Sequence, residues 1–232
     1  MLAQTEAALA AARRAAHPAR PSFAFGFLTG QEMDWLPEAM TILRGELPNI
    51  DITVSSQSSP QLAGGLMQGR LDLAFMRAER NMPDLVYKVV TQEPLILVLP
   101  AGHPLASREV IAIREVAGEP FLGMSKTAPA LQIVIDDYLE RSGLEIRPAH
   151  EIDNLGMAVS LVASTRGVTL LPAYARNFLP SSVISRPLDG QAPMIDLVIG
   201  YNKANKSPIL KLFLSRTDDL IARFAHKTTS AP

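Results

Sequence analysis

The chain has 232 residues, 47% of them hydrophobic, a mean hydropathy of +0.13 and a formal charge of -1 at pH 7, the profile of an ordinary globular protein with room for one large or two small cores. That balance excludes the basic surplus with which a chain grips nucleic-acid phosphates by itself. The absence of cysteine excludes disulfides, thiol nucleophiles and thiolate metal sites, and it suits the cytoplasm.

Residues 1–16 are Ala-rich, with Glu6 inside the run and Arg13 and Arg14 after it. This is the reverse of a signal peptide, so the stretch reads as a helix ended by His17-Pro18. No apolar run approaches the ~20 residues of a membrane helix. A short stiff linker, Pro18 to Pro21, leads to a strand at Phe23–Leu28. Asp34 caps a helix to about Leu47, with Pro37 in its first turn and Leu36, Met40, Leu43 and Leu47 on one face. A strand follows at Ile50–Ser55. Ser59-Pro60 then reads as an N-cap with proline at the first helical position, opening a helix that buries Leu62, Leu66 and Met67. Leu71–Met76 is apolar enough for a parallel strand covered on both faces.

Two more strands are expected at 85–90 and 95–99. The order strand, helix, strand, helix, strand then recurs. A strand at Phe121–Met124 precedes a helix from Ala130 to Ser142 that buries Leu131, Val134, Ile135, Tyr138 and Leu139 and ends at Gly143. A strand at Ala149–Ile152 and a helix from Asn154 to Thr165, with Leu155, Ala158, Val159 and Val162 inward, lead to strand Val168–Leu171. Last come strand Ile195–Tyr201 and a helix capped by Ser207-Pro208 that reaches Phe224. Two βαβαβ units in tandem imply an α/β protein with two small sheets, each wrapped by helices.

Phosphate-loop, dinucleotide-binding, zinc-protease and serine-hydrolase motifs are absent. The four histidines lack metal-ligand spacing, and His103, in Gly102-His103-Pro104, reads as a structural turn residue. Asp136-Asp137 and Asp218-Asp219 are neighbours on helices and point apart, so they read as solvated faces. Four tyrosines and one tryptophan make no stacking platform for bases. The sequence therefore offers no catalytic cluster, no metal site and no cofactor signature, and the expectation is a protein that is not an enzyme.

Several stretches resemble the effector-binding domain of LysR-type bacterial transcription regulators. FGFLTGQEMDWLPEAM is similar to its first strand, loop and Leu-Pro helix. ELPNIDITVSSQSSPQLAGGLMQGRLDLAFM is similar to the following strand, hydroxyl-rich turn, helix and G-x-L-D-L-A strand. EPLILVLPAGHPLA ends in the family's recurring H-P-L-A, His103 to Ala106. EVAGEPFLGMS, LVASTRGVTLLP, VISRPL and SPILKLFL follow in the family's order, so the resemblance runs from about Pro21 to Phe224. The stretches Phe25–Trp35 and Phe75–Arg77 look closest to members that control aromatic-acid catabolism.

The resemblance implies two Rossmann-like lobes of the periplasmic-binding-protein type II kind, joined by crossing strands. Lobe I would comprise 21–97 and 195–226, and lobe II 98–194. Residues 1–18 would end a linker helix, and 227–232 would be a disordered tail. It also implies a DNA-binding helix-turn-helix upstream of residue 1, with Met1 an added start, a homodimer or homotetramer, no membrane partner, and a small-molecule effector, a carboxylate, in the cleft between lobes.

In such folds ligands bind beyond the carboxyl ends of the strands, where helix N-termini offer free N–H groups to an anion. The residues placed there are Thr29 and Gly30 after the first strand, and Ser58, Ser59, Pro60 and Gln61 at the second helix. In lobe II they are Met124, Ser125, Lys126 and Thr127 after its first strand, with Asp153 and Asn154 after its second. Arg77 offers a carboxylate a bidentate pairing. Each has a plain alternative: Ser59 and Asn154 as helix caps, Thr29-Gly30 as an ordinary loop, Arg77 as a surface ion-pair residue, Lys126 as a solvated cation. Two rivals stand beside this reading, a periplasmic-type solute-binding protein for an organic anion and an enzyme on the same scaffold.

Overall fold

The computed structural model describes residues 21–229. The expected linker helix over 1–16 lies outside the described residues, as do 230–232 of the expected tail.

The first strand, β1 (Ser22–Leu28), alternates Phe23, Phe25 and Phe27 with Ala24, Gly26 and Leu28, so each face of the sheet receives one set. The three rings are buried and continue into Phe75, Trp35 and Phe213, with Phe23 and Phe25 edge-to-face at 4.9 Å and Phe27 stacked on Phe75 at 5.0 Å. Each such pair adds about 0.5–1.5 kcal/mol beyond area burial. On the other face lies α2 (Ser59–Met67), seated by Leu62 and Leu66. A Cβ at Gly26 would come within 2.6 Å of Leu62, so the close approach of α2 to β1 requires glycine there.

Helix α1 (Glu32–Glu46) starts two residues before Asp34, with Gln31 as N-cap. Its buried face is also turned from the expected one: Trp35, Ala39, Ile42 and Leu43 are buried, and of the expected face only Leu43 is. Pro37 lies inside the helix, not in its first turn. In α2 the N-cap is Ser58, one residue before the expected Ser59. Met67 is 40% exposed rather than buried, because the inward stripe ends at Leu66.

Strand β2 (Asp51–Gln57) pairs parallel with β1, and β1 parallel with β3 (Leu73–Met76), whose four residues are all buried. Beyond them the expected pair of strands at 85–90 and 95–99 is one strand, β4 (Leu85–Pro100). Its first part pairs antiparallel with β9 (Met194–Asn202) across a register shift between Val89 and Thr91, as far as Pro94. From Leu95 it pairs instead with β7 (Thr169–Pro172) and β8 (Val183–Pro187), the latter not foreseen as a strand. The polar stretch and Pro94 mimic a break, but they mark a change of partner within continuous strand.

Lobe II repeats the plan. β5 (Leu122–Met124), α3 (Pro129–Arg141), β6 (His150–Ile152), α4 (Leu155–Thr165) and β7 follow in order. β5 pairs parallel with β6, and a bridge between Phe121 and Val168 ties this pair to β7. Strand order is thus β2-β1-β3-β9-β4 in lobe I and β6-β5-β7-β4-β8 in lobe II. Lobe II has its own core, in which Leu97, Leu122, Ile135 and Val162 are buried together. The expected last helix is two, α5 (Pro208–Ser215) and α6 (Thr217–Thr229), packed on the aromatic face of lobe I. The second extends to Thr229, past Phe224 and into the segment expected to be a tail.

Candidate functional site

The carboxyl ends of the parallel strands in both lobes open onto one cavity of about 560 Å³, a size typical of small-molecule sites. Lobe I contributes the ends of β1, β2 and β3 and the start of α2, including Thr29, Ser58, Ser59, Pro60, Gln61 and Arg77. Lobe II contributes the ends of β5 and β6 and the starts of α3 and α4, including Met124, Lys126, Asp153 and Asn154. Gly30 and Ser125 do not line the cavity. Gly30 turns with φ +96°, its Cα close under the rings of Tyr174 and Phe178. Ser125 is buried, and its hydroxyl is 2.9 Å from that of Thr127.

Local sequence explains these positions. Gln61 Oε1 reaches back to accept from the Ser58 backbone N–H at 3.2 Å and from Ser58 Oγ at 3.0 Å, which fixes the first turn of α2. Ser59, displaced from the cap, is buried, and its Oγ accepts from the Arg77 backbone N–H at 2.9 Å. Pro129 occupies the first turn of α3, where its missing N–H costs nothing. Asn154 caps α4, its Oδ1 accepting from Met157 N at 2.9 Å. Thr127 Oγ1 donates to the Asp153 carbonyl at 2.8 Å and ties the two lobe II turns together. Three helices thus start at the cavity wall, and the N–H groups of their first turns have no intrahelical acceptor.

Arg77 is not a free clamp. It is 4% exposed, and its Nη2 is 2.5 Å from Glu93 Oε2, which also accepts from Gln31 Nε2 at 3.2 Å. The ion pair is therefore internal rather than on the surface. Arg77 Nη1 remains buried without a hydrogen-bond partner, and so does Glu79 Oε1. Glu79 also lines the cavity, and burial raises its pKa. Lys126 is exposed at the rim, as a solvated cation would be.

Across the gap Tyr174, in the turn after β7, donates its hydroxyl to the Thr29 carbonyl at 3.2 Å. Burial pushes its pKa up to about 12, against the pull of Arg77 and with the help of the Glu93 and Glu32 carboxylates. Most of the remaining wall is apolar, from Leu28, Leu131, Ile152, Leu171 and Pro172. His103 lies away from the cavity, and its Nδ1 accepts from Leu105 N at 3.2 Å. Among the described residues no group of His, Asp and Glu is arranged to hold a metal.

The model of the LysR substrate binding domain matches residues 16–219. The chain belongs to that family. The LysR domain is 27% identical over 223 residues to the Hca operon transcriptional activator HcaR of Escherichia coli K12, a match covering 96% of this chain and 75% of that protein. It is 27% identical over 204 residues to the regulator CatR of Pseudomonas putida, covering 88% and 70%. Among solved structures it is similar to the BenM effector binding domain with its effector benzoate, at TM-score 0.75 and 20% identity, covering 92% of this chain and 96% of that one. It is likewise similar to the effector binding domain of QuiR in complex with shikimate, at TM-score 0.76 and 19% identity, covering 90% and 99%. The family match favours a transcription regulator's sensor over a periplasmic-type binding protein. The two-lobe plan of these neighbours is the fold described above.

Glu79 and Tyr174, which line the LysR domain's cleft, escaped sequence reasoning, and so did Glu93, which holds Arg77 without lining the cavity itself. Thr127, read from the sequence as part of the turn Met124 to Thr127, does line the cavity. Glu93 was not legible, because only the run of β4 past Arg77 brings the two together.

Proposed function

We propose that this LysR domain senses a small organic carboxylate, an aromatic acid by preference, held between the lobes, and that it catalyses nothing. The observation that carries the reading is the start of three helices, from both lobes, at one largely apolar cavity. The first-turn N–H groups that no cap engages, together with the positive ends of helix dipoles, favour an anion, while the apolar wall suits a ring. The relatives support it by their printed descriptions: BenM with benzoate, QuiR with shikimate, and regulators of the hca and cat1 operons.

The guest touches both lobes, so it changes their relative tilt if it binds one arrangement better than the other. We take the partner change on β4 at Leu95 as the place where that tilt is absorbed. In the whole regulator, a cytoplasmic homodimer or homotetramer, the tilt sets the spacing of DNA-binding modules. The test is a titration of benzoate, hydroxybenzoates, shikimate and short aliphatic acids, followed by thermal unfolding. At 100-fold over Kd a ligand adds about 2.7 kcal/mol of stability. Absence of a shift with every acid overturns the reading.

A further inference from the structure

Among the described residues, four buried polar side-chain atoms lack a hydrogen-bond partner: Trp35 Nε1, Ser55 Oγ, Arg77 Nη1 and Glu79 Oε1. The last two belong to residues that line the inter-lobe cavity. They are complementary in kind, one a donor and one an acceptor. A buried polar atom left unpaired is destabilising, and more so when charged. Both atoms are themselves closed off, so what a guest meets at this wall is the rest of the half-buried Glu79 side chain.

Glu79 is held in place for this. Its backbone N–H donates to Tyr87 Oη at 3.3 Å, and its carbonyl is 3.4 Å from the same oxygen. Its carboxylate has no salt-bridge partner among the described residues, because Arg77, two residues earlier, is engaged by Glu93. Resting on the reading of the cleft as a carboxylate site, we propose that the guest is a hydroxylated carboxylic acid whose hydroxyl donates to the Glu79 carboxylate. Its carboxylate meets the helix starts. An ammonium group is disfavoured as the donor, because the positive helix ends that start at the cavity repel it.

The experiment uses calorimetric titration of the full chain with benzoate, 3- and 4-hydroxybenzoate, 3- and 4-methoxybenzoate, 4-(aminomethyl)benzoate and shikimate. The methoxy compounds keep the oxygen and remove the donor. A hydrogen bond to a charged acceptor predicts that at least one hydroxy acid binds about tenfold or more tighter than its unsubstituted or methoxy counterpart. In Glu79→Gln and Glu79→Leu that ratio shrinks toward one. Equal affinity of hydroxy and methoxy acids in the unmodified protein overturns the proposal without needing either variant. Tightest binding by the aminomethyl compound overturns the choice of hydroxyl. Binding of benzoate with no gain from hydroxyl leaves the carboxylate sensor standing and removes only this inference, whereas no binding by any acid removes both.

Discussion

Tyr174 and Thr29 lie 145 positions apart in the chain, yet the hydroxyl of one donates to the carbonyl of the other at 3.2 Å, joining lobe II to lobe I at the edge of the cavity. Both residues line that cavity. A link at this point helps to set how far the lobes stand apart. Tyr174→Phe keeps the ring and removes the donor. A neutral hydrogen bond contributes about 0.5–1.5 kcal/mol, so the variant should melt a few degrees lower at most. Its larger effect should be a wider ligand-free molecule in small-angle scattering. An unchanged scattering profile would show that the hydroxyl does not hold the lobes.

Gly30 makes that contact possible. Its φ is +96°, and an added Cβ would lie 2.8 Å from the Tyr174 ring and 3.2 Å from Phe178. Gly30→Ala therefore adds backbone strain of about 1–3 kcal/mol and pushes the ring away. The expected outcome is a lower melting temperature than in Tyr174→Phe, together with the same opening. Wild-type stability in Gly30→Ala, measured by urea unfolding, would contradict this account.

What the sequence made legible follows from where the signals are local. Ser58, Pro60 and Asn154 occupy strand-to-helix junctions, and junctions carry their own chemistry, caps and first-turn prolines. Since a doubly wound fold puts its binding site at such junctions, reading the caps located most of the cleft. Glu93 and Tyr174 carry no such signal. One sits inside a strand and the other in a short turn after β7, and both matter only through partners far away in the chain. The rotated face of α1 has a similar origin. The helix begins at Glu32, and packing of Trp35 against Phe75 and Phe224 decides which side turns inward, a tertiary effect that apolar spacing alone does not encode.

The Arg77–Glu93 pair gives a third expectation. Side-chain exposure is 5% for Arg77 and 13% for Glu93, so removing one partner strands a buried charge. Glu93→Leu should destabilise the protein by about 3–5 kcal/mol. The double replacement Arg77→Met, Glu93→Leu should recover much of that loss, because a buried ion pair replaced by apolar side chains is often near neutral. Chemical denaturation of both singles and the double reads the coupling. If the double variant loses as much as the sum of the singles, the two charges do not depend on each other.

Glu79 gives the clearest dependence on pH. Burial raises its pKa above the ordinary value of 4.5, so between that value and the raised one the folded state holds more proton than the unfolded state. Stability then falls as pH rises through that window. Below 4.5 the carboxyl is neutral in both states and no penalty applies; above the raised value the full penalty is present. Glu79→Gln stays neutral throughout. Without ligand, the melting temperature of the variant relative to wild type should therefore increase from pH 4 toward neutral pH and then level off. A difference that is flat across this range would mean that ionised Glu79 is not penalised by its surroundings, and that a donor already satisfies it in the free protein.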